Sequence, residues 1–283
     1  MCKSGLGSQF VPWLFLCWSL RLHKTPLHKL PLHSALGENK PVRLMYLDEC
    51  KDQNTNAVSL TALVVDESRY IEFRRLFFKS LEKIVCAKPN TYGPIPELHG
   101  SKFLPNATDR ERIDIQKAIF SVVKEVGARV YRCGYYRDGE FPPGMDTEEN
   151  LLSLAFLGIQ FQTQVEYERE LILPIMDGVS VDISKLVGSS NHSTQGHLAL
   201  GLPKGFLSIE NYQNIADPVV SDSRFSVGTQ CVDVVSYALH CKHWFELGLP
   251  KSEYKQQVVE AVNELGCCIR ANEVVKMKMV RSS

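Results

Sequence analysis

The chain has no CxxC pair, no apolar run of twenty residues, no excess of positive charge and, from Val42 onward, no internal repeat or low-complexity stretch. Each absence excludes something. Without paired spacings, the nine cysteines (Cys2, Cys17, Cys50, Cys86, Cys133, Cys231, Cys241, Cys267, Cys268) form no secreted disulfide scaffold and read as mostly buried, reduced thiols. Cys231, His240, Cys241 and His243 cluster in sequence, but their spacing matches none of the usual zinc patterns. The longest apolar run, Phe10 to Leu20, falls short of the ~20 residues that a bilayer requires, so no membrane span is expected. Lys plus Arg total 32 and Asp plus Glu total 32. A nucleic-acid surface, if there is one, must therefore be local.

The charge is uneven. Residues 1–40 carry five basic residues against the single acid Glu38, which leaves the remainder with 27 basic and 31 acidic residues. The apolar run and the His, Pro and Leu-rich stretch after it show neither helical nor strand periodicity. Lys3 before an apolar run admits a signal peptide, but no small-residue cleavage site follows and free thiols argue against export. Residues 1–41 are read as a disordered extension, with Met45 an alternative start, and 42–283 as one domain of a cytoplasmic protein.

From Val42 the pattern resolves. VRLMYLDE and NAVSLTALVVD read as two strands joined by a short turn, an opening hairpin that excludes a fully parallel sheet. Ser68 is expected to cap a helix through Val85. Ala87 to Pro96, rich in Pro, reads as a loop. A helix over 109–126, a strand ARVYRCGYY, a long helix over 147–169 and a buried strand ELILPIMDGV follow. SSNHSTQGH reads as a loop and FLSIENYQNI as a strand, then come a helix from Gly228 to Leu247 and a final helix SEYKQQVVEAVNELG. The expected class is α/β with a mixed sheet flanked by helices.

The acids carry the chemistry. By the period of two, Asp48 shares a strand face with Val42, Leu44 and Tyr46, and Asp177 ends LILPIMD in the same way. A buried carboxylate costs several kcal/mol unless a cation or hydrogen bonds compensate. Two such strands side by side would set like charges together, a conflict that a hard divalent cation removes. Each Asp alone reads first as a strand-end or turn residue, and it is their combination that points to a metal site. Gln230, Asp233, Tyr237 and His240 recur at helical spacing as a polar stripe on an apolar helix, which is either a solvated face or a site. Arg69, Arg74, Arg75, Lys79 and Lys83 on the first helix could guide a phosphate backbone or simply face solvent.

The segments YLDEC (46–50), ELHGSKF (97–103), ILPIMD (172–177) and DSRFSVGTQCVDVVSYAL (222–239) together resemble the domain of unknown function 3800 family over roughly Val42 to Leu247. The resemblance implies a ribonuclease H-like α/β fold and a metal-dependent nuclease. It makes Asp48, Glu97, Asp177 and Asp233 the catalytic and metal-ligating carboxylates, Glu97 standing in a segment, PIPELHGS, that also reads as a surface loop. Gln230, Tyr237, Lys102, His99 and His240 become supporting residues. Two magnesium or manganese ions roughly 4 Å apart would then activate water for in-line attack on a phosphodiester, with Asp48 bridging them. Cys50 departs from the family's usual Ser and is expected to lie behind the site and loosen its turn. Glu49 faces away and is not counted as a ligand. Two alternatives stay open: an inactive module of the same fold that binds nucleic acid or protein, and a metal-dependent hydrolase of another substrate.

Overall fold

The computed structural model describes residues 41–85, 98, 100, 107–141, 146–177, 214–216, 218–249 and 252–277. The opening hairpin forms as expected, from β1 (Val42–Asp52) and β2 (Ala57–Asp66) in antiparallel register. β1 runs three residues beyond the expected boundary at Glu49, as far as Asp52, which makes the turn. The Asp52 carboxylate accepts from the Asn54 and Thr55 amides at 2.9 and 3.2 Å, and Asn56 turns the chain with φ 55°.

Helix α1 (Tyr70–Val85) is preceded by a 3-10 turn at Glu67–Arg69. The cap is Asp66, whose carboxylate accepts from the Ser68 amide at 2.9 Å, and not Ser68 itself. Thr108 closes a reciprocal capping box with Glu111 at the start of α2 (Asp109–Glu125). Gly127 at φ 68° ends that turn and turns the chain into β3 (Arg129–Tyr136). Then come α3 (Glu148–Glu166), β4 (Leu171–Asp177), β5 (Val219–Ser221), α4 (Val227–Glu246), α5 (Glu253–Asn263) and β6 (Ile269–Val275). Of the expected strand FLSIENYQNI only Asn214 and Ile215 are described, and Ile215 makes a parallel bridge to Ile172. The SSNHSTQGH loop lies outside the described residues.

The six strands form one mixed sheet in the order β5-β4-β1-β2-β3-β6. Only β2 runs against the others, since β1 and β3 both pair with it antiparallel and the remaining pairs are parallel. Helices cover both faces. Leu151, Leu152, Phe156 and Ile159 of α3 pack on Met45, Leu47, Leu60 and Val64. On the other face Phe73 and Phe77 of α1, Ile119 and Phe120 of α2, Val234 and Val235 of α4 and Val258 of α5 surround Tyr46, Leu63 and Val65. Among the described residues no helix is long and apolar enough to cross a membrane.

α4 is buried along most of its length, which its continuous apolar composition dictates. Its first turn lies against β1 so closely that a Cβ on Gly228 would overlap the Tyr46 ring. That contact fixes the register of α4 over β1, so later residues of both elements stay opposite one another: Asp48 under Ser236, Asp52 under His240 and Trp244.

Candidate metal centre

Alternation along β1 puts Met45 and Leu47 in the α3-side core and Leu44 and Tyr46 on the α4 side. Asp48 follows Tyr46 on the α4 side. In the parallel register with β4, Tyr46 meets Ile175 and Leu47 meets Met176. One step further along, Asp48 and Asp177 stand on neighbouring strands, and Asp177 shares its face with Ile175, which packs on the α4 side. Asp233 comes from the helix above. Asp48, Asp177 and Asp233 each keep partial exposure.

Asp48 feels the charge of both other carboxylates. Burial between β2, β4 and α4 pushes the Asp48 carboxyl well above the usual carboxylate range, and the charge of Asp233 pushes it further; a hydrogen bond from Ser236 opposes this, while Glu49 and Asp177 add to the rise. None of these strongest influences is a cation.

Asp48 also belongs to a polar row that the sequence reading missed. It lies opposite Thr61 on β2, Thr61 opposite Arg132 on β3, and Arg132 opposite Asn272 on β6. The row runs straight across the sheet beneath α4. Ser236 bonds Thr61 as well, Oγ to Oγ1 at 3.2 Å. The fully buried Arg132 donates from Nε and Nη2 to Ser59 Oγ at 3.2 and 3.1 Å, and from Nη1 to the Leu239 carbonyl at 3.2 Å and Asn272 Oδ1 at 3.4 Å. Burial holds its guanidinium below its usual pKa. A charged residue inside RVYRCGYY, a strand buried on both faces, was the signal that could have revealed it.

Glu97, His99 and Lys102 lie outside the described residues, but Leu98 and Gly100 between them are placed. Leu98 is buried, and its amide faces Gln230 Oε1 at 3.4 Å. A Cβ on Gly100 would come within 2.5 Å of Tyr237 Cβ, 2.7 Å of the Asp233 carbonyl oxygen and 2.9 Å of Asp233 Oδ1. Leu98 and Gly100 therefore seat on the α4 stripe, and at Gly100 only glycine permits that approach. The other end of Gln230 donates from Nε2 to the Ser223 carbonyl at 2.8 Å and the Arg224 carbonyl at 3.4 Å. Gln230 thus bridges both segments flanking Asp233.

The rest of the expected supporting set divides. Tyr237 stays at the site beside Gly100, with burial raising its phenol pKa. His240 belongs elsewhere. Its Nε2 lies 3.7 Å from Asp52 Oδ2 and its ring packs edge-on against Trp244 at 5.0 Å. Asp52 also accepts from Trp244 Nε1 at 2.5 Å. Burial takes His240 down to about 4, against the opposing charge of Asp52, so it is neutral at pH 7. Seven residues at 1.5 Å each put it about 10 Å along the helix from Asp233, a position that secures the hairpin turn. Cys50 lies inside β1 rather than at a turn, opposite Ser59; burial pushes its thiol up to about 12. Glu49 faces the α3 side, with Lys51 2.9 Å from Glu49 and 2.7 Å from Glu148.

The donor set is all oxygen, which fits a hard divalent cation. The repulsion raising Asp48 is what such a cation would relieve. Among the described residues, no three His, Cys, Asp or Glu side chains are gathered closely enough to hold one ion. Compared with known proteins, the chain matches no family model, no curated protein and no solved structure.

Proposed function

We propose that the chain is a divalent-metal-dependent phosphodiesterase of ribonuclease H-like fold, acting on nucleic acid through Asp48, Asp177 and Asp233 with Glu97 as a fourth carboxylate. One arrangement carries the reading: Asp48 and Asp177 stand at neighbouring positions on adjacent parallel strands beneath the helix that bears Asp233, and burial, then the charge of Asp233, raise the Asp48 carboxyl. An isolated structural aspartate is ordinarily settled by a cation or by several donors, whereas Asp48 is crowded by anions and offset by one hydroxyl.

The sheet order supports the placement. β2 and β3 build outward from β1 on one side and β4 and β5 on the other, so the acids stand where the order reverses, the usual location of a ligand crevice in such sheets. The four segments resembling the domain of unknown function 3800 family support it too, since Leu98 and Gly100 of ELHGSKF rest on the DSRFSVGTQCVDVVSYAL helix. A divalent cation bound by these carboxylates would polarise a water and neutralise charge building on a phosphate. The chain's own residues set the frame: Ser236 orients Asp48, Gln230 ties the flanking segments together, and Gly100 lets the chain pass against Asp233.

The test is cleavage of end-labelled single-stranded DNA, single-stranded RNA, duplex DNA and RNA–DNA hybrid by the full chain with magnesium or manganese, beside Asp48→Asn and Asp233→Asn. Metal-dependent cleavage lost in both variants supports the proposal. Intact nucleic acid in every lane, with metal binding preserved, turns the same site toward a different hydrolytic substrate.

A further inference from the structure

Beside the carboxylates, β5 pairs with β4 at the edge of the sheet. Ser221 of β5 pairs with Asp177, so residues 222–226, which lead into α4, form the rim of the site. Of the nine large hydrophobic residues that are exposed among those described, three fall in β5 and this rim: Val219, Val220 and Phe225. Single exposed hydrophobics are ordinary on a protein surface; three within seven residues beside an acid cluster are not.

Phe225 is the extreme case, 83% exposed. It is nevertheless held in place. Its amide donates to the Asp222 carbonyl at 3.0 Å, and the Ser226 amide to the Ser223 carbonyl at 3.2 Å. Gln230 secures the carbonyls of Ser223 and Arg224 from the helix. The Arg224 guanidinium lies 5.7 Å from the centre of the Phe225 ring and is oriented by Asp222 through contacts of 2.6 and 2.9 Å. An aromatic ring with a fixed backbone and a cation on the rim is the equipment with which proteins hold unpaired bases and their phosphates. A base within a duplex has no free face to offer.

We infer that Phe225 and Arg224 form a stacking step for single-stranded nucleic acid beside the carboxylates, the ring taking an unpaired base and the guanidinium the adjoining phosphate. This deepens the phosphodiesterase reading and rests on it for the choice of ligand, and it makes single strands the substrate class. A protein partner seated on the same apolar rim is the competing occupant.

Binding separates them without relying on turnover. Fluorescein-labelled single-stranded DNA and RNA oligonucleotides, and a duplex of equal length, are titrated by anisotropy with the full chain and its Phe225→Ala, Phe225→Trp and Arg224→Ala variants, in calcium to suppress cleavage. Phe225→Ala should weaken single-strand binding about 5- to 150-fold, the range for loss of one stacked base. Phe225→Trp should retain binding, and Arg224→Ala should lower the salt slope by about one. As an exposed site, Phe225→Ala should leave Tm within about 2 °C. Wild-type affinity in Phe225→Ala, or a wild type that binds no single strand, overturns the step and leaves the rim to a protein partner. Weakened binding by Phe225→Ala alongside a wild type that never cleaves upholds the step and removes the phosphodiesterase; cleavage with unchanged Phe225→Ala binding does the reverse.

Discussion

Replacing Asp48 by Asn should stabilise the metal-free protein. Adjacent strands lie about 4.8 Å apart, and two carboxylates at that separation in an effective dielectric of ~20 repel by about 3.5 kcal/mol. The Ser236 hydrogen bond to a charged acceptor returns about 1.5–3 kcal/mol, of which the isosteric amide keeps a part. The net gain is about 1–2 kcal/mol, or a Tm rise of about 2–8 °C for a domain of this length. Because the Asp48 pKa is raised on folding, its contribution is fully present below the unfolded value near 4 and is lost as pH rises through the folded value. The difference between wild type and Asp48→Asn therefore grows from acid toward neutral pH. Metal reverses the ranking: at a hundredfold excess over Kd the wild type gains about 2.7 kcal/mol and the variant does not. Differential scanning calorimetry in chelator and in manganese reads both effects. An Asp48→Asn protein that melts below the wild type in chelator would show that the anion is satisfied by its neighbours, and the reasoning would fail.

Other consequences follow from the packing. Gly100→Ala forces a methyl against the Tyr237 Cβ and the Asp233 carbonyl oxygen, so it should cost about 1–3 kcal/mol in urea unfolding and weaken manganese affinity measured by calorimetry by about tenfold. Gly228→Ala, which intrudes on the Tyr46 ring at the seat of α4, should cost about 1–3 kcal/mol in urea unfolding. Arg132→Ala leaves a cavity and leaves Ser59 and the Leu239 carbonyl without their buried donor, and should cost about 3–5 kcal/mol by the same assay. His240 has a folded pKa lowered to about 4, so its contribution is present above the unfolded value of about 6.5 and is lost as pH falls toward 4. His240→Gln should remove up to about 3 kcal/mol of that pH dependence, and equal slopes for variant and wild type would refute the assignment.

The parts legible in the sequence were those fixed by local pattern. The period of two placed Asp48 with Leu44 and Tyr46 and turned Glu49 away, and the polar stripe Gln230, Asp233, Tyr237 emerged as one face of an apolar helix. Asp177 followed the same rule. β6 did not, because IRANEVV mixes Arg, Asn and Glu into a parallel edge strand with no clear alternation, and the three-residue β5 carries almost no pattern. His240 continued the stripe in spacing, yet its role depended on Asp52, which is 188 positions away in sequence. The polar row from Asp177 to Asn272 needed the register of five strands at once, which no local window contains. The Gly100 contact is of the same kind: the sequence shows a glycine after Leu98 and His99, and only the packed helix explains why no side chain fits.

The most direct test of the central claim is the binding of manganese to metal-free full-length protein, followed by the electron paramagnetic resonance of the free ion, for the wild type and for Asp48→Asn, Asp177→Asn and Asp233→Asn. The account requires saturable binding by the wild type and a loss of affinity of about tenfold or more in each variant. Undiminished binding in all three, or no binding by the wild type, would contradict a metal centre at these carboxylates.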